Sequence, residues 1–346
     1  MKASRTITVI GAHAEGEVGK VITGGVLPPP GQSVYEQQQW LMQNNDALRK
    51  FLLFEPRGGA FTHANLVVPA KDPAADAGFI IMEPDDYPPM SGSNCICVAT
   101  VLLETGMVIM KEPVTRLTLE TPGGLVRVEA QCRQGSVERV TLVNVPCYAA
   151  LLDADITVPG IGIVRADIGY GGAFFVIVDA RKFGFKIRPE EARQLVETGE
   201  RIKEAARQQL KVQHPEIAAF NKIAFTEFTL PLTEEEGVLI GRNTVVISPG
   251  KLDRSPCGTG TCARLAVMHA KGEIAAGRAF VSRSVIDSRF DAKIESVTKL
   301  EDGTPAILPS ITGRAWITGV HSYLLDPEDP WPEGYTLSDT WYRAIE

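Results

Sequence analysis

The chain has 346 residues, 44% of them apolar, with 35 basic against 42 acidic side chains and a formal net charge of −7. That length predicts about two domains with ample material for cores, and an acidic balance without a basic cluster or aromatic-rich basic strip excludes a nucleic-acid-binding protein. The longest apolar runs fall far short of the roughly 20 residues that span a bilayer, which excludes a helical membrane protein.

In chain order, Met1 to Ile10 lacks the apolar core of a signal peptide. The cysteines at 95, 97, 132, 147, 257 and 262 are therefore expected as free thiols in a cytoplasmic protein. A short strand, Ile7 to Ile10, leads into Gly11-Ala12-His13-Ala14-Glu15-Gly16-Glu17, where His13 either holds the loop or touches a ligand. Ser33-Val34-Tyr35-Glu36 reads as a capping box opening a helix through about Phe54. Alternating runs at Ala64 to Val68, Ala77 to Met82, Arg116 to Glu120, Gly124 to Ala130 and Val137 to Val145 predict antiparallel strands. Within this set, Pro89-Met90-Ser91-Gly92-Ser93-Asn94-Cys95-Ile96-Cys97 leads a hydroxyl and a glycine into an apolar helical run, Val98 to Val108.

A loop with Pro and acidic residues between Pro146 and Pro159 predicts a domain boundary. Beyond it, strands are expected at Gly162 to Ala166, Ala173 to Asp179, Ile223 to Leu230, Gly237 to Ile247, Ala279 to Ile286, Asp291 to Leu300 and Ala306 to Gly319, a set that looks parallel in design. A helix is predicted from Pro189 to about Lys211, and His214 before Pro215 reads as a helix terminus. A second helix runs from Cys257 to about Gly272.

The stretch Asp253-Arg254-Ser255-Pro256-Cys257-Gly258-Thr259-Gly260-Thr261-Cys262 is the most informative. The first N–H groups of a helix lack intrahelical partners and carry partial positive charge, so a carboxylate or thiolate is welcome there. Cys257 is therefore expected to have a lowered pKa, and the small residues after it let successive amides approach a ligand. The run Gly258-x-Gly260-x-x-Ala263 lacks the acidic residue about 20 positions on that a dinucleotide site needs. The five histidines show no metal-ligand spacing. Neither a dinucleotide nor a metal is expected on these residues.

Several segments together resemble the proline racemase family, which includes proline racemase, hydroxyproline 2-epimerases and trans-3-hydroxyproline dehydratase. They are His13 to Glu17, Glu55-Pro56-Arg57-Gly58, Met90-Ser91-Gly92, Gly171-Gly172-Ala173-Phe174, Asp253 through Gly260, Ile311-Thr312-Gly313, and Asp329 to Gly334. The resemblance implies a cofactor-independent reaction in which two residues flank the α-carbon of a cyclic amino acid, one removing the proton and the other supplying it on the opposite face. In the racemase both are cysteines, and in the dehydratase the second is threonine. This chain has Ser91 at the first position and Cys257 at the second, with Ser93 where a histidine usually follows Cys-Gly.

A serine alkoxide costs on the order of 5 kcal/mol more to form than a thiolate, at about 1.4 kcal/mol per pKa unit. Ser91 therefore needs a neighbouring base, the amide cradle, or a water held with Ser93 and Asn94. The substrate carboxylate is expected on the amides of Gly92, Ser93, Gly258 and Thr259, which also stabilise charge developing as the α-proton leaves. Asp253 is expected to accept from the ring ammonium, the role the family gives the aspartate four residues before the cysteine.

A serine-cysteine pairing resembles a subgroup that epimerises hydroxyprolines, so C2 epimerisation of 3- or 4-hydroxyproline ranks first. A trans-3-hydroxy-L-proline dehydratase and a catalytically silent binding relative are the alternatives. The fold the resemblance implies is α+β, of the diaminopimelate epimerase type: two pseudo-symmetric domains, each a β-sheet wrapped around a central apolar helix. Residues 1–150 would form the first domain and 151–346 the second, with the last strand able to return to the first. Tyr87, Phe61, His63 and Asp287 are further residues open to contact the ring hydroxyl. A homodimer stays open, since the sequence carries nothing on oligomeric state.

Overall fold

A computed structural model describes residues 3–218 and 220–342. They form two units: one takes the residues up to Leu142 together with those from Gly313 onward, and the other is Val143–Thr312.

In the first unit, β1 (Arg5–Ala14) turns at Glu15 and Gly16, both at positive φ, into β2 (Glu17–Gly24). The helices α1 (Val34–Asn44) and α2 (Ala47–Leu53) then cross over to β3 (Thr62–Val68), which lies parallel to β2. β3 pairs antiparallel with β4 (Ala77–Met82). α3 (Gly92–Glu104) is a second crossover, to β5 (Val114–Thr121), parallel to β4. β6 (Gly124–Arg133) and β7 (Ser136–Val143) follow as antiparallel neighbours. The final strand, Ala315–Leu325, pairs with β1 along its whole length.

The second unit repeats this order. β8 (Tyr148–Val158), β9 (Gly162–Tyr170) and β10 (Phe174–Asp179) are antiparallel neighbours. α4 (Ala192–Gln209) crosses over to β11 (Ile223–Thr229), parallel to β10. The short β12 (Thr233–Glu235) and β14 (Lys251–Leu252) flank β13 (Val238–Ile247), which pairs antiparallel with β11. α5 (Gly258–Ala270) crosses over to β15 (Ala279–Arg283), parallel to β13, and β16 (Arg289–Lys299) and β17 (Pro305–Gly313) complete the sheet antiparallel. Reciprocal backbone bonds of 2.8 Å between Cys147 and Ile307 bring the beginning of this sheet to its last strand.

Each parallel pair is bridged by a helix, because parallel neighbours need a long crossover whereas antiparallel ones close in a tight turn. This overturns the expected parallel design of the second half, in which only β10–β11 and β13–β15 are parallel. The expected helix from Ser33 to Phe54 is two helices: Ser33 caps the first by accepting from the Glu36 N–H at 3.1 Å, and Asn45 leaves helical geometry at φ −151°. The expected loop from Pro146 to Pro159 is the strand β8, whose outer residues are exposed. The division at 150/151 accordingly moves to 142/143, and the last segment joins the first unit because its strand lies on β1. The run Ala306 to Gly319 divides at Arg314 into two strands. His214 is five residues past the end of α4, buried among Tyr148, Tyr170 and Phe220.

α3 and α5 are the centres of their units. Every residue of α3 from Gly92 to Leu103 is buried, and so is every residue of α5 from Gly258 to Met268. All-round apolarity of this kind marks a core helix. Each ends two residues before a glycine at φ 74°, Gly106 and Gly272, the left-handed stop that a side chain disfavours. The six cysteines are free and buried.

Candidate active site

Ser91 is the N-cap of α3 and Cys257 the N-cap of α5. The hydrogen-bond ladders begin with Cys95 N–H to the Ser91 carbonyl at 3.0 Å and Thr261 N–H to the Cys257 carbonyl at 2.9 Å. The amides of Gly92 and Ser93 in one unit, and of Gly258 and Thr259 in the other, therefore precede the first intrahelical bond, as the first amides of any helix do. Within each unit the expected residues are brought together: Ser91, Gly92 and Ser93 at one mouth, and Asp253, Cys257, Gly258 and Thr259 at the other.

The Cys257 mouth is tightly determined. Asp253 Oδ1 accepts from both the N–H and the hydroxyl of Ser255, each at 2.8 Å, and Ser255 Oγ in turn accepts from the Cys257 N–H at 3.1 Å. Cys257 is held at φ 61°, ψ 112°, a sparsely populated conformation for a residue with a side chain. Its sulfur accepts from the Gly260 N–H at 3.4 Å and lies 3.7 Å from Thr259 Oγ1. Behind it stands an apolar cluster of Phe175, Ile177, Val245, Ile247, Ala263 and Val267.

The expected lowering of the Cys257 pKa is not what this environment produces. Burial, then the nearby charge of Asp253, push the thiol well above its ordinary value, and the Gly260 N–H only partly offsets them. The helix mouth does supply a donor, but a sulfur backed by apolar side chains beside a carboxylate loses more from desolvation and repulsion than one amide returns.

A second buried layer lies behind this mouth. Asn243 Nδ2 donates to Glu227 Oε1 at 2.9 Å and to the Pro256 carbonyl at 2.8 Å, while Asn243 Oδ1 accepts from Ser282 Oγ at 2.7 Å. Burial pushes the Glu227 carboxyl up to about 8, against weaker lowering by Arg264 and by the Asn243 hydrogen bond.

At the Ser91 mouth, Ser91 Oγ accepts from Asn94 Nδ2 at 3.0 Å and is 3.4 Å from Ser93 Oγ. Asn94 Nδ2 is also 3.3 Å from His63 Nδ1, and Asn94 Oδ1 accepts from Asn65 Nδ2 at 2.8 Å. His63 Nε2 lies 3.3 Å from Glu17 Oε1. Sequence reasoning left His63 among several open candidates and missed Asn65 and Glu227. The signal for His63 and Asn65 was their alternation with Ala64 and Leu66, whereas Glu227 sits alone between Thr226 and Phe228 with no such pattern; all three are 2% exposed or less.

The other candidates lie elsewhere. His13 accepts from the Gly16 N–H at 3.2 Å and stacks on Trp316 with ring centroids 5.2 Å apart, so it holds the β1–β2 turn. Tyr87 donates to Asp46 at 2.8 Å, Phe61 is exposed, and Asp287 is paired with Arg242 at 2.6 Å. A concavity of about 1000 Å³ lies against Arg264, Val267, Met268 and Lys271, on the C-terminal half of α5, and includes no residue of either mouth. Among the described residues no helix is long and apolar enough to cross a membrane.

Comparison with known proteins agrees with this architecture. A crystal structure of a hydroxyproline epimerase from Agrobacterium vitis, with bound trans-4-hydroxy-L-proline, is 43% identical with a TM-score of 0.91, covering 99% of this chain and 98% of that one. A probable proline racemase from Agrobacterium radiobacter, with bound carbonate, is 44% identical with a TM-score of 0.90, covering 97% and 98%. A PhzF-family phenazine biosynthesis protein of Bacillus anthracis shares the α+β fold alone, at 14% identity and a TM-score of 0.58 over 93% of this chain and 100% of its own. The family model described as proline racemase matches residues 9–336. The chain therefore belongs to the proline racemase family, and it is an isomerase of the racemase and epimerase class.

Proposed function

We propose that this enzyme inverts C2 of a hydroxyproline, with 4-hydroxyproline the first substrate to test and 3-hydroxyproline the second, and that Cys257 and Ser91 are its two proton-transferring residues. The observation that carries the reading is the Cys257 mouth, where a capping cysteine at positive φ is tied through Ser255 to a buried aspartate. The 43% identity to an epimerase with bound trans-4-hydroxy-L-proline supports the substrate class.

In one direction the Cys257 thiolate takes the α-proton and becomes the thiol. The electron pair left on the α-carbon is delocalised into the substrate carboxylate, held by the amides of Gly92, Ser93, Gly258 and Thr259. The Ser91 hydroxyl then delivers its proton to the other face and is left as an alkoxide; the opposite epimer runs the same steps in reverse. The resting thiol is protonated, and Asp253 is one reason for it. When Asp253 accepts from the ring ammonium of the substrate, its charge is compensated and part of the bias against the thiolate disappears, so the thiol releases its proton to solvent before the α-proton is taken, and solvent returns a proton to the Ser91 alkoxide after product leaves. Free buried thiols suit a reducing compartment, and we place the enzyme in the cytoplasm.

The test is α-proton exchange in deuterated water, followed by NMR from each epimer in turn. Cys257→Ala abolishes inversion and exchange of the proton that faces the sulfur. Ser91→Ala retains that exchange and loses inversion. Sustained exchange in the first variant, normal inversion in the second, or a pyrroline product in place of the epimer would each overturn the reading.

A further inference from the structure

Ser91 stands where a serine normally spends its oxygen on capping a helix, in extended geometry at φ −151°, ψ 124°, yet its side chain makes no cap. Two other caps in the chain behave as expected: Ser33 Oγ accepts the Glu36 N–H and Cys257 Sγ accepts the Gly260 N–H, each from the third residue of its helix. At Ser91 the third residue is Asn94, and it meets the oxygen with its side-chain amide at 3.0 Å.

The polarity of that contact is fixed from behind. Asn65 Nδ2 donates to the backbone carbonyl of Lys20 at 3.2 Å, and a carbonyl can only accept, so the NH2 end of Asn65 is assigned. The same nitrogen reaches Asn94 Oδ1 at 2.8 Å, which assigns the oxygen end of Asn94 and turns its NH2 end to Ser91. Asn94 Nδ2 also lies 3.3 Å from His63 Nδ1, and the His63 ring stands between two carboxylates, Glu17 Oε1 at 3.3 Å from Nε2 and Glu83 Oε1 at 3.6 Å from Nδ1. Asn94 and Asn65 are each 1% exposed or less, so neither amide has water as an alternative partner.

We propose that Asn94, oriented by Asn65 behind it and packed beside His63, is the positioning residue that makes Ser91 a proton donor. Because Ser91 Oγ already accepts from Asn94, its own hydrogen is left to turn to the substrate, with Ser93 Oγ at 3.4 Å the other acceptor within reach. When that proton leaves, the Asn94 N–H remains on the oxygen and stabilises the alkoxide, a preorganised donor at the point where charge develops. No proton passes through the amide. This inference rests on the proposed role of Ser91.

The test compares Asn94→Asp, Asn65→Asp and Ser91→Ala in the full-length protein with wild type, each assayed for inversion and for exchange of the Cys257-facing proton. Asn94→Asp is isosteric but replaces the donor by an acceptor, so kcat for inversion is expected to fall roughly 100-fold, the loss seen when one oxyanion donor is removed. KM and the Cys257-side exchange should stay within a factor of about three, a split that general damage to the fold would not give. Asn65→Asp leaves every atom next to Ser91 in place but favours the reversed Asn94 amide, and should lower inversion in the same selective way. If Asn94→Asp does not hold its fold by circular dichroism and melting, Asn65→Asp decides. Normal inversion in a folded variant, or equal loss of inversion and Cys257-side exchange, overturns this inference. If Ser91→Ala itself inverts substrate normally, it is the underlying assignment of Ser91 that falls.

Discussion

At Cys257 a helix N-terminus and a carboxylate act in opposite directions on one sulfur. Burial and Asp253 hold the thiol protonated in the free protein, while the Gly260 N–H favours the thiolate. Asp253→Asn keeps an oxygen able to accept both bonds from Ser255 and removes the charge. Its pKa effect on Cys257 is therefore downward: the pH at which iodoacetamide alkylation of Cys257 reaches half its maximal rate should fall relative to wild type. The same substitution removes the proposed partner of the ring ammonium, so KM should rise roughly tenfold or more, the value of a hydrogen bond to a charged group. A thiol that titrates unchanged or higher in the variant would show that Asp253 does not set its field.

At the level of elements, α3 and α5 are pressed against glycines of the neighbouring strands. A Cβ at Gly19 on β2 would meet Asn94 Oδ1 at 2.9 Å and Cys97 Sγ at 3.0 Å, both side-chain atoms. A Cβ at Gly171, between β9 and β10, would meet the Thr259 carbonyl oxygen and the Ala263 amide nitrogen at 2.6 Å, both backbone of α5. Side chains can give way and a core helix backbone cannot, so Gly171→Ala should destabilise more than Gly19→Ala. Urea midpoints at constant slope should show a loss of roughly 1–3 kcal/mol or more for Gly171→Ala, the usual cost of overpacking. A Gly171→Ala protein as stable as wild type would mean that α5 does not sit where it is described.

These elements also show what the sequence disclosed. Both helix mouths were legible, because runs of small residues opening an apolar helix have few other uses. β8 was not, because exposed Leu151 and Leu152 and two register shifts break its alternation. β2 was hidden by Gly19 and Lys20 within its span. His63 and Asn65 alternate with Ala64 and Leu66 as a solvated strand face would, so only tertiary structure shows that the polar face is turned inward onto Asn94. Parallel and antiparallel neighbours were not distinguishable either, since pairing is decided by what connects the strands rather than by the composition of the strands themselves.

Across the whole molecule, the two units share one strand order, one pair of helical crossovers, and one arrangement behind each mouth: a buried amide whose orientation is set by a donor, Asn65 to Asn94 in the first and Ser282 to Asn243 in the second. The second of these orients its nitrogen toward Glu227, which is fully buried, with Oε2 lacking a partner among the described residues. That carboxyl has consequences for the stability of the entire fold. Burial raises it from 4.5 to about 8, so between those values the folded protein keeps a proton that the unfolded chain has released. Stability then falls as pH rises through this window, by up to about 1.4 kcal/mol per pH unit from this group alone, and the contribution is complete below the unfolded value. Glu227→Gln presents the same acceptor to Asn243 and cannot ionise. The difference in unfolding free energy between the variant and wild type, from urea titrations at successive pH values between about 5 and 9, should therefore grow in favour of the variant as pH rises and level off above about 8. Parallel profiles for the two proteins would mean that Glu227 is already ionised in the fold, compensated by Arg264, and that the layer behind the Cys257 mouth carries a charge at neutral pH.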